Sequence, residues 1–548
     1  MRVRILLSIV LGVGALAWAQ RAEEADGSLA RRIRAHVGFL ADDALRGRET
    51  GSAEYEIAAR YVAAQFELLG LEPLAPQGGW FQRVPLRTKR LVEGSASVAL
   101  HTADGDVELE WLHDFTMGGD AFRGESEVTA PVVFAGWGIR APELGHDDYA
   151  GIDVEGRIVL LLTGAPAGFP HNQRAYYSSS RNKADEAVRR GAVGYLGLQS
   201  REEQARVPWE RMIRNPYRTG MEWLDDEGNV RDGHPELLAS ASLSPRGAER
   251  LLAGVPGGIE KILAAASRGE AKGFELPLRA TLRRRTEIGA AGASNVVAGI
   301  PGSDPSLAGE AVLFTAHLDH VGVGKAQNGD EIYNGAYDNA MGVATLIETA
   351  RLFVESGEAP RRTVLFVALA GEEKGLLGAK YFAYRPAVPI RDVVANVNLD
   401  MPLFLYPLAD LVAFGAEHSS LAATVERAAA AFDLELSPDP MPEQVIFVRS
   451  DQYAFVQEGV PAVFLVSGFT SRDPGIDGAE VWKEFFTRHY HMPSDELSLP
   501  FDGPSAERFT RVNHRIGREI ADQLERPTWN PGDFFGERFG QAQAGAVD

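Results

Sequence analysis

Charged side chains follow several predicted buried strands at the positions where those strands end. The residues concerned are His317, Asp319, Glu372, Glu373 and Asp400. Because the carboxyl ends of parallel strands meet at one edge of an open α/β sheet, we expect these side chains to lie close together. Asp338, just before a predicted helix, and His491, in a predicted loop, would complete the group.

The chemistry open to this group is limited by the absence of cysteine. The chain has no Cys, so a disulfide, a thiolate zinc site and a Cys nucleophile are all impossible. Any metal must then be held by imidazole and carboxylate groups. Two histidines with three or four carboxylates suit a two-metal site, and zinc is the usual occupant of mixed nitrogen and oxygen sites.

A site with two dications assigns distinct roles to its carboxylates. One carboxylate must bridge, because two dications ~3.5–4 Å apart repel each other unless an anion lies between them. Each metal then needs a histidine and a terminal carboxylate, and a further carboxylate must stay off the metals to take a proton from the bridging water. The adjacent Glu372 and Glu373 can supply one group of each kind, and Asp319 could accept the free N–H of His317.

Each of these signals has a less specific interpretation. A lone His-x-Asp is commonly a surface pair, an isolated Glu-Glu is commonly a solvated helix start, and Asp338-Asn339 before a helix could be an N-cap. His317 competes as a ligand with His320, and His491 competes with His489. Their joint occurrence at strand ends is what favours a metal site.

Composition limits the class of protein. The 548 residues include 55 Lys+Arg against 76 Asp+Glu, a formal net charge of −21, and 45% hydrophobic residues. This is the composition of a folded globular protein with two or more domains. A strongly acidic surface repels phosphate backbones, so nucleic acid is not an expected partner.

The N-terminus predicts export. Two arginines among the first four residues precede an apolar run from Ile5 to Trp18, and Ala17-Trp18-Ala19 is a small-x-small cleavage site. We predict that residues 1–19 are a signal peptide and that the mature protein is periplasmic or extracellular. An uncleaved N-terminal anchor is the alternative. No later apolar stretch is long enough to span a membrane, so no span is expected after cleavage.

The second half of the chain alternates buried-type strands with helical patterns, which predicts an α/β fold: a mixed, mostly parallel sheet with helices on both faces. The predicted strands are Asn295–Ile300, Ala311–Ala316, Thr363–Ala368, Val393–Leu399, Val445–Val448 and Ala462–Val466. The predicted helices are Asn339–Glu355, Leu421–Phe432 and Ser505–Leu524.

The predicted domain organisation follows from changes along the chain in the pattern of strands, helices and turns. Residues 20–94 and 286–525 are assigned to the α/β domain, which is interrupted by a mainly β domain at residues 95–285. Residues 201–235 show no clear hydrophobic periodicity, so no helix or strand is predicted there. The last residues, 526–548, have no period either and are predicted to be a tail lying on the surface.

These motifs resemble the co-catalytic di-zinc aminopeptidases of metallopeptidase family 28. The matching stretches are Thr315 to Asp319, Asn334 to Ala340, Gly371 to Gly378, Asn398 to Met401, Arg449 to Asp451, Tyr490 to Asp495 and the N-terminal segment Leu40 to Gly51. The insertion resembles a protease-associated (PA) domain, chiefly in Asp148 to Leu161 and Lys183 to Gly194. The combined motifs are specific for the fold and the metal site, and much less specific for the substrate.

The resemblance implies a role for each matching residue. Two zinc ions would be bridged by Asp338, with His317 and Asp400 completing one site and Glu373 and His491 the other. Glu372 would be the general base and Asp319 would orient His317. Tyr490 would hydrogen-bond the oxyanion, and Arg449 would position the substrate. The resemblance further implies a cis peptide bond after Asp338.

The function implied is that of an exported zinc aminopeptidase acting on peptides or small proteins, with no oligomeric state specified. A carboxypeptidase, dipeptidase or glutaminyl cyclase activity on the same fold is the first alternative, and a non-catalytic receptor-like protein is the second. Two positions depart from the common pattern: Met341 follows Asp-Asn-Ala, and Gln452 follows Ser-Asp. Neither is an expected ligand, but Gln452 could alter the substrate pocket.

Overall fold

The computed structural model describes residues 28–540, which form two compact units. The first unit consists of residues 28–83, Ala293–Pro440 and 450–540; the second consists of Val84–Gly292 and Met441–Arg449. The predicted signal peptide lies outside the described residues. Among the residues that are described, no helix combines the length and the apolar character needed to cross a membrane.

The first unit is built on one mixed sheet. Its neighbouring strands are, in order, Glu72–Pro73, 295–300, Thr363–Leu369, Ala311–His317, Val393–Asn398, Ala462–Ser467, Asp410–Phe414 and Glu435–Ser437. The four strands from Thr363–Leu369 to Ala462–Ser467 are parallel. They are buried along their whole length, which is why they appear in the sequence as continuous apolar runs.

Helices cover both faces of this sheet. Phe314 packs against Phe353 of a helix on one face, with ring centroids 6.1 Å apart. Neighbouring residues of a strand point to opposite faces, so Thr315 faces the other way. There its hydroxyl donates to Asn398, whose amide donates to Gln452 at the start of a second helix. The predicted α/β fold is therefore confirmed.

The first unit contains helices of five to twenty residues. They span residues 28–40, Ala53–Leu69, Met341–Glu355, Leu377–Tyr384, Leu421–Ala430, Gln452–Val456, Gly478–Glu484, Gly503–Asp522 and Phe534–Phe539. Two of the longest begin with a side-chain cap: Ser52 accepts from the N–H of Tyr55, and Asp502 accepts from the N–H of Ser505.

The second unit contains more strands than helices. Its strands are 84–91, Ser97–Thr102, Gly105–Glu108, Phe115–Thr116, Glu125–Phe134, Arg140–Ala141, His146–Asp147, Ile158–Leu162, Gly194–Leu198, Gly220–Trp223, Ala239–Leu243 and 274–292. Its helices are His171–Ser178, Ser180–Arg189, Arg201–Arg206, Trp209–Met212, Pro245–Leu251 and Gly258–Ser267. The buried ammonium of Lys183 donates to the carbonyl oxygens of Trp137 and Leu162 at 2.7 Å, and also to that of Gly164.

Two segments differ from the sequence-based expectation. Val445–Val448 is not a strand: Val445 has φ of 50° and a 3-10 turn, Ile446–Val448, follows it. A run of apolar β-branched residues favours a strand locally, but this one lies in the short segment that packs with the second unit. Within the described part of the predicted tail, residues 526–540, Phe535 is fully buried and Trp529 donates to the carbonyl oxygen of Gly459, so this part is not simply a surface tail.

Arg48 joins three separate segments of the first unit through main-chain oxygens. Its fully buried guanidinium donates to the carbonyl groups of Leu318, Asn334 and Gly335 at 2.6–3.0 Å, and also to that of Leu40. Burial lowers the pKa of Arg48 to about 10, which leaves the group charged at neutral pH. One side chain thus fixes the N-terminal segment against the loops that carry His317 and Asp338.

Replacing this guanidinium is expected to loosen all three segments at once. Arg48→Met would leave buried carbonyl oxygens without donors, and each such group costs about 1–3 kcal/mol. We therefore expect a clear fall in the urea midpoint of unfolding, followed by tryptophan fluorescence. The matched control is Arg31→Met, at an exposed position, which should leave the midpoint unchanged. Equal midpoints for both variants would contradict this role.

Candidate active site

The first unit brings the predicted site residues together at the carboxyl edge of its parallel strands. His317 is the last residue of its strand, Asp400 follows Val393–Asn398 by two residues, and Glu372 and Glu373 form a 3-10 turn after the strand that ends at Leu369. His491 lies in the loop after residues 485–489. The strand ends therefore set the spacing between groups far apart in sequence.

Asp338 lies in the irregular turn Ala336–Ala340 that leads into the helix Met341–Glu355. Its peptide bond to Asn339 is cis, as the resemblance implies. Gly335 begins this turn with φ of 62°, and a Cβ there would lie 2.3 Å from the carbonyl oxygen of Asp338 and 2.5 Å from the ring of His320. Only glycine lets the chain pass at this position.

One group of donors is formed by His317, Asp338 and Asp400. Nε2 of His317 lies 3.1 Å from Oδ1 of Asp400 and 3.4 Å from Oδ1 of Asp338. All three residues are buried. Their ligand atoms lie within 4.8 Å of one another, close enough to surround a single metal ion.

A second group of donors uses the other oxygen of Asp338. Nε2 of His491 lies 3.1 Å from Oδ2 of Asp338 and 3.2 Å from Oε1 of Glu373. His320 faces the same two oxygens: its Nδ1 lies 2.9 Å from Oε1 of Glu373 and 3.8 Å from Oδ2 of Asp338. The second group therefore contains one more imidazole than the sequence motifs indicate.

The two groups share Asp338, which offers one carboxylate oxygen to each. Oδ2 of Asp338 and Oε1 of Glu373 are buried without a hydrogen-bond donor. Leaving a buried carboxylate oxygen unpaired is costly, whereas a divalent cation between the donors would satisfy all of them. The nitrogen and oxygen donor set fits zinc.

The hydrogen bonding of His317 also indicates a cation between the donors. Its Nδ1 lies 3.1 Å from the main-chain oxygen of Asp319, which can only accept. Nδ1 must then carry the proton, so in a neutral ring Nε2 presents a lone pair to Asp338 and Asp400. A lone pair facing two carboxylates needs a cation between them. Without metal that cation is a proton: burial opposes it, but Asp400 and Glu372 raise the pKa of His317 well above its ordinary value.

Asp319 acts differently from the sequence-based expectation. Its main-chain oxygen, not its carboxylate, holds the His317 ring, because the carboxylate lies 3.9 Å from Nδ1. The carboxylate instead accepts from the hydroxyl of Thr50 at 2.8 Å and from the N–H groups of Glu372 and Glu373 at 3.1 and 3.3 Å. Asp319 thus fixes the turn that carries the two glutamates.

Glu372 lies beside the donor groups without joining either of them. Burial raises the pKa of its carboxyl well above the ordinary value; His317 opposes this shift, while Asp400 and Glu373 add to it. A carboxylate with a raised pKa is a better proton acceptor at neutral pH. The geometry therefore suits the role of general base.

Two further residues hold the ligands in place, and the motifs quoted above contain both. The carboxylate of Asp495 accepts from the N–H groups of Tyr337 and Asp338 at 2.9 and 3.0 Å. The hydroxyl of Ser450 donates to Oδ2 of Asp400 at 2.7 Å. In the sequence, Asp495 could be noticed because it closes the motif that contains His491, and Ser450 because it lies in the Arg-Ser-Asp motif. Only the fold shows which groups these two side chains contact.

The two predicted substrate-binding residues lie in different settings. The ring of Tyr490 stacks on that of His491, with centroids 3.9 Å apart. Arg449 lies at the end of the segment that packs with the second unit, where its exposed guanidinium donates to the carbonyl oxygen of Gln444 at 3.3 Å. Roles for Tyr490 and Arg449 toward the substrate remain predictions.

Comparison with known sequences agrees with this site. Residues 295–516 match Peptidase family M28. A "probable zinc metalloprotease" of Pyrenophora tritici-repentis is 45% identical over 67 residues, which is 12% of this chain and 15% of that protein. "Leupeptin-inactivating enzyme 1" of Streptomyces exfoliatus is 28% identical over 231 residues, 40% of this chain and 46% of that protein. The chain thus spans less than half the length of these relatives.

Comparison with solved structures supports the fold over nearly the whole chain. The "Aminopeptidase from Aneurinibacillus sp. strain AM-1" superimposes with a TM-score of 0.54 at 19% identity, covering 92% of this chain and 97% of that one. At this identity the likeness shows the fold alone. The match to Peptidase family M28 spans residues 295–516, the part of the chain that carries both donor groups.

Proposed function

We propose that the chain is a co-catalytic di-zinc exopeptidase that removes N-terminal residues from peptides. The observation that carries this proposal is the carboxylate of Asp338, whose two oxygens face two separate donor groups while Glu372 stands outside both. The same arrangement would hold two zinc ions, with His317 and Asp400 on one and Glu373 and His491 on the other.

The chain's own residues then divide the work of hydrolysis. Bound dications would acidify a water molecule and polarise the scissile carbonyl. Glu372 would take the proton from that water and deliver it to the leaving amine. Asp319 and Asp495 hold the backbone of the ligand turns, so the donors need little reorganisation. Tyr490 would donate a hydrogen bond to the developing oxyanion.

The charge around the site favours a substrate with a free α-amino group. Two zinc ions would neutralise Asp338, Glu373 and Asp400, so a free α-amino group would be held by the metals and by the carboxylate of Glu372. The nearby cations that could bind a substrate carboxylate are already engaged: Arg48 donates to main-chain oxygens, and Lys374 pairs with Glu49 at 2.5 Å. This supports aminopeptidase over carboxypeptidase action.

The other activities of the same fold receive less support. A glutaminyl cyclase needs one zinc, whereas this site offers two donor groups. A receptor-like protein has no need of Glu372 or of a complete ligand set. We further propose that the mature protein is exported, as residues 1–19 predict, and that the second unit is a PA-like domain. Peptides or small proteins would be its substrates.

A substrate panel tests the proposal directly. Purified protein would be incubated with aminoacyl anilides, N-acetylated peptides and peptides that vary at the C-terminus, each with and without chelator. We expect cleavage only where the α-amino group is free, and loss of activity with chelator that added zinc restores. Trimming of acetylated peptides from the C-terminus, or cyclisation of N-terminal glutamine, would replace the proposal by one of its alternatives.

Glu372→Gln should separate catalysis from metal binding. The amide cannot accept the proton, so kcat should fall by roughly 10²–10⁴ while the zinc content stays as in wild type. Glu331→Gln, at an exposed position in the same unit, is the matched control and should keep full activity. A Glu372→Gln enzyme with wild-type kcat would remove Glu372 as the base.

Asp338→Asn should act on metal content instead. Because each oxygen of Asp338 serves one donor group, the amide would weaken both sites and remove the anion between the two cations. We expect less than two zinc per chain by elemental analysis after dialysis, with Asp104→Asn, in an exposed turn, unchanged. Two zinc ions held as tightly as in wild type would show that the bridge is another group.

A further inference from the structure

His320 is buried at the carboxyl edge of the parallel strands, beside the second group of donors. Its side chain is fully inaccessible, and neither Nδ1 nor Nε2 makes a hydrogen bond. Buried polar groups are nearly always paired, and an imidazole has two nitrogens to satisfy. The ring therefore needs a polar interaction, and the groups within its reach are the carboxylates of Glu373 and Asp338.

The ring nitrogen nearest the site lies close to acceptor oxygens without bonding them. Nδ1 is only 2.9 Å from Oε1 of Glu373, an oxygen that also lies 3.2 Å from Nε2 of His491. Two imidazole nitrogens thus approach one carboxylate oxygen, which is the arrangement expected of ligands that share a metal ion.

The distances match the edges of a zinc coordination tetrahedron. Zinc bonds of 2.0 Å give ligand-to-ligand separations of about 3.3 Å in a tetrahedron. His491 Nε2 lies 3.1 and 3.2 Å from Asp338 Oδ2 and Glu373 Oε1. His320 Nδ1 lies 3.8 and 2.9 Å from the same two oxygens. These four edges scatter around the expected value.

The chain holds His320 in this position from several sides. Its main-chain N–H donates to the carbonyl oxygen of Arg48 at 3.3 Å, and Glu49 forms a β-bridge with it. Gly335 leaves the space that the ring fills. The rings of His320 and His491 meet edge to face, with centroids 5.6 Å apart. These contacts hold the ring of His320 in place beside that of His491.

We propose that His320 is a fourth protein ligand, through Nδ1, of the zinc site formed by Asp338, Glu373 and His491. The inference rests on the two-zinc part of the proposed function. It makes the two sites chemically unequal: this site has two nitrogen and two oxygen donors, whereas the site of His317, Asp338 and Asp400 has one nitrogen and two oxygens. The first set fills a tetrahedron, and the second leaves a position open.

The inequality has consequences for metal selection. Imidazole ligands favour zinc, while oxygen-rich sites also accept manganese or magnesium. The His320 site should therefore load first and release its zinc last. The open site should exchange its metal more readily and provide the position where a substrate carbonyl can bind.

A crystal structure of the zinc-loaded wild-type protein tests the inference directly. We expect zinc about 2.0–2.1 Å from Nδ1 of His320, as for other zinc–imidazole bonds. Zinc bound between Asp338 and Glu373 but roughly 3 Å or more from that nitrogen, beyond any coordination bond, would overturn the inference and leave the proposed function intact. Absence of a second zinc at saturating concentration would instead refute the two-zinc proposal.

The lack of native cysteine allows a second test in solution. His320→Cys would introduce the sole thiol of the chain, and its sulfur can approach the same point because a zinc–sulfur bond is longer, about 2.3 Å. With Co²⁺ bound, a coordinated thiolate gives an intense near-ultraviolet charge-transfer band. His491→Cys should show the band, and His489→Cys, whose ring bonds Ser494 instead, should not.

Zinc affinity provides a second measurement in case the His320→Cys variant folds poorly. His320→Asn should weaken one of the two zinc ions by on the order of 10²–10³-fold, more than the 10–100-fold typical of a group that only orients a ligand. The other zinc should keep its affinity. No cobalt band in His320→Cys, together with two tightly held zinc ions in His320→Asn, would show that His320 is not a ligand.

Discussion

Negative charge buried at one edge of a sheet is the constraint on which this structure depends. Asp319, Asp338, Glu373 and Asp400 are all taken out of water within a small volume. Isolated buried carboxylates are strongly unfavourable, and several together repel one another. The histidines between them lie 2.9–3.4 Å from carboxylate oxygens, so the natural resolution is a pair of cations that all the groups share.

The structure meets this constraint by anchoring the backbone that carries the ligands. Asp319 accepts from the N–H groups of both glutamates, and Asp495 accepts from the N–H of Asp338. Arg48 gathers the carbonyl oxygens of the neighbouring loops. Because these contacts act on the main chain, they fix ligand positions while leaving the ligand oxygens free for a cation. This is the usual purpose of polar groups surrounding a metal site.

The same arrangement explains why two adjacent glutamates can serve as a metal ligand and as a base. Glu372 and Glu373 are neighbours in sequence, but only Glu373 lies within reach of histidine nitrogens. Burial and the nearby carboxylates then raise the pKa of Glu372, so it can act as a base rather than as a ligand. The difference between the two residues comes from the direction in which each side chain leaves a single tight turn.

The sequence by itself determined the α/β class, the strands at 311–317, 363–369, 393–398 and 462–467, and the residues that meet at their ends. These follow from local patterns: continuous apolar runs, and polar residues directly after them. It did not determine the strands Asp410–Phe414 and Glu435–Ser437, which are short, or the turn at Val445, because their conformation depends on distant neighbours. Only the tertiary structure placed the two histidines that compete in the sequence. Both follow one strand end, but His317 lies 3.4 Å from Oδ1 of Asp338 and His320 lies 3.8 Å from Oδ2, because the two rings approach the carboxylate from different sides.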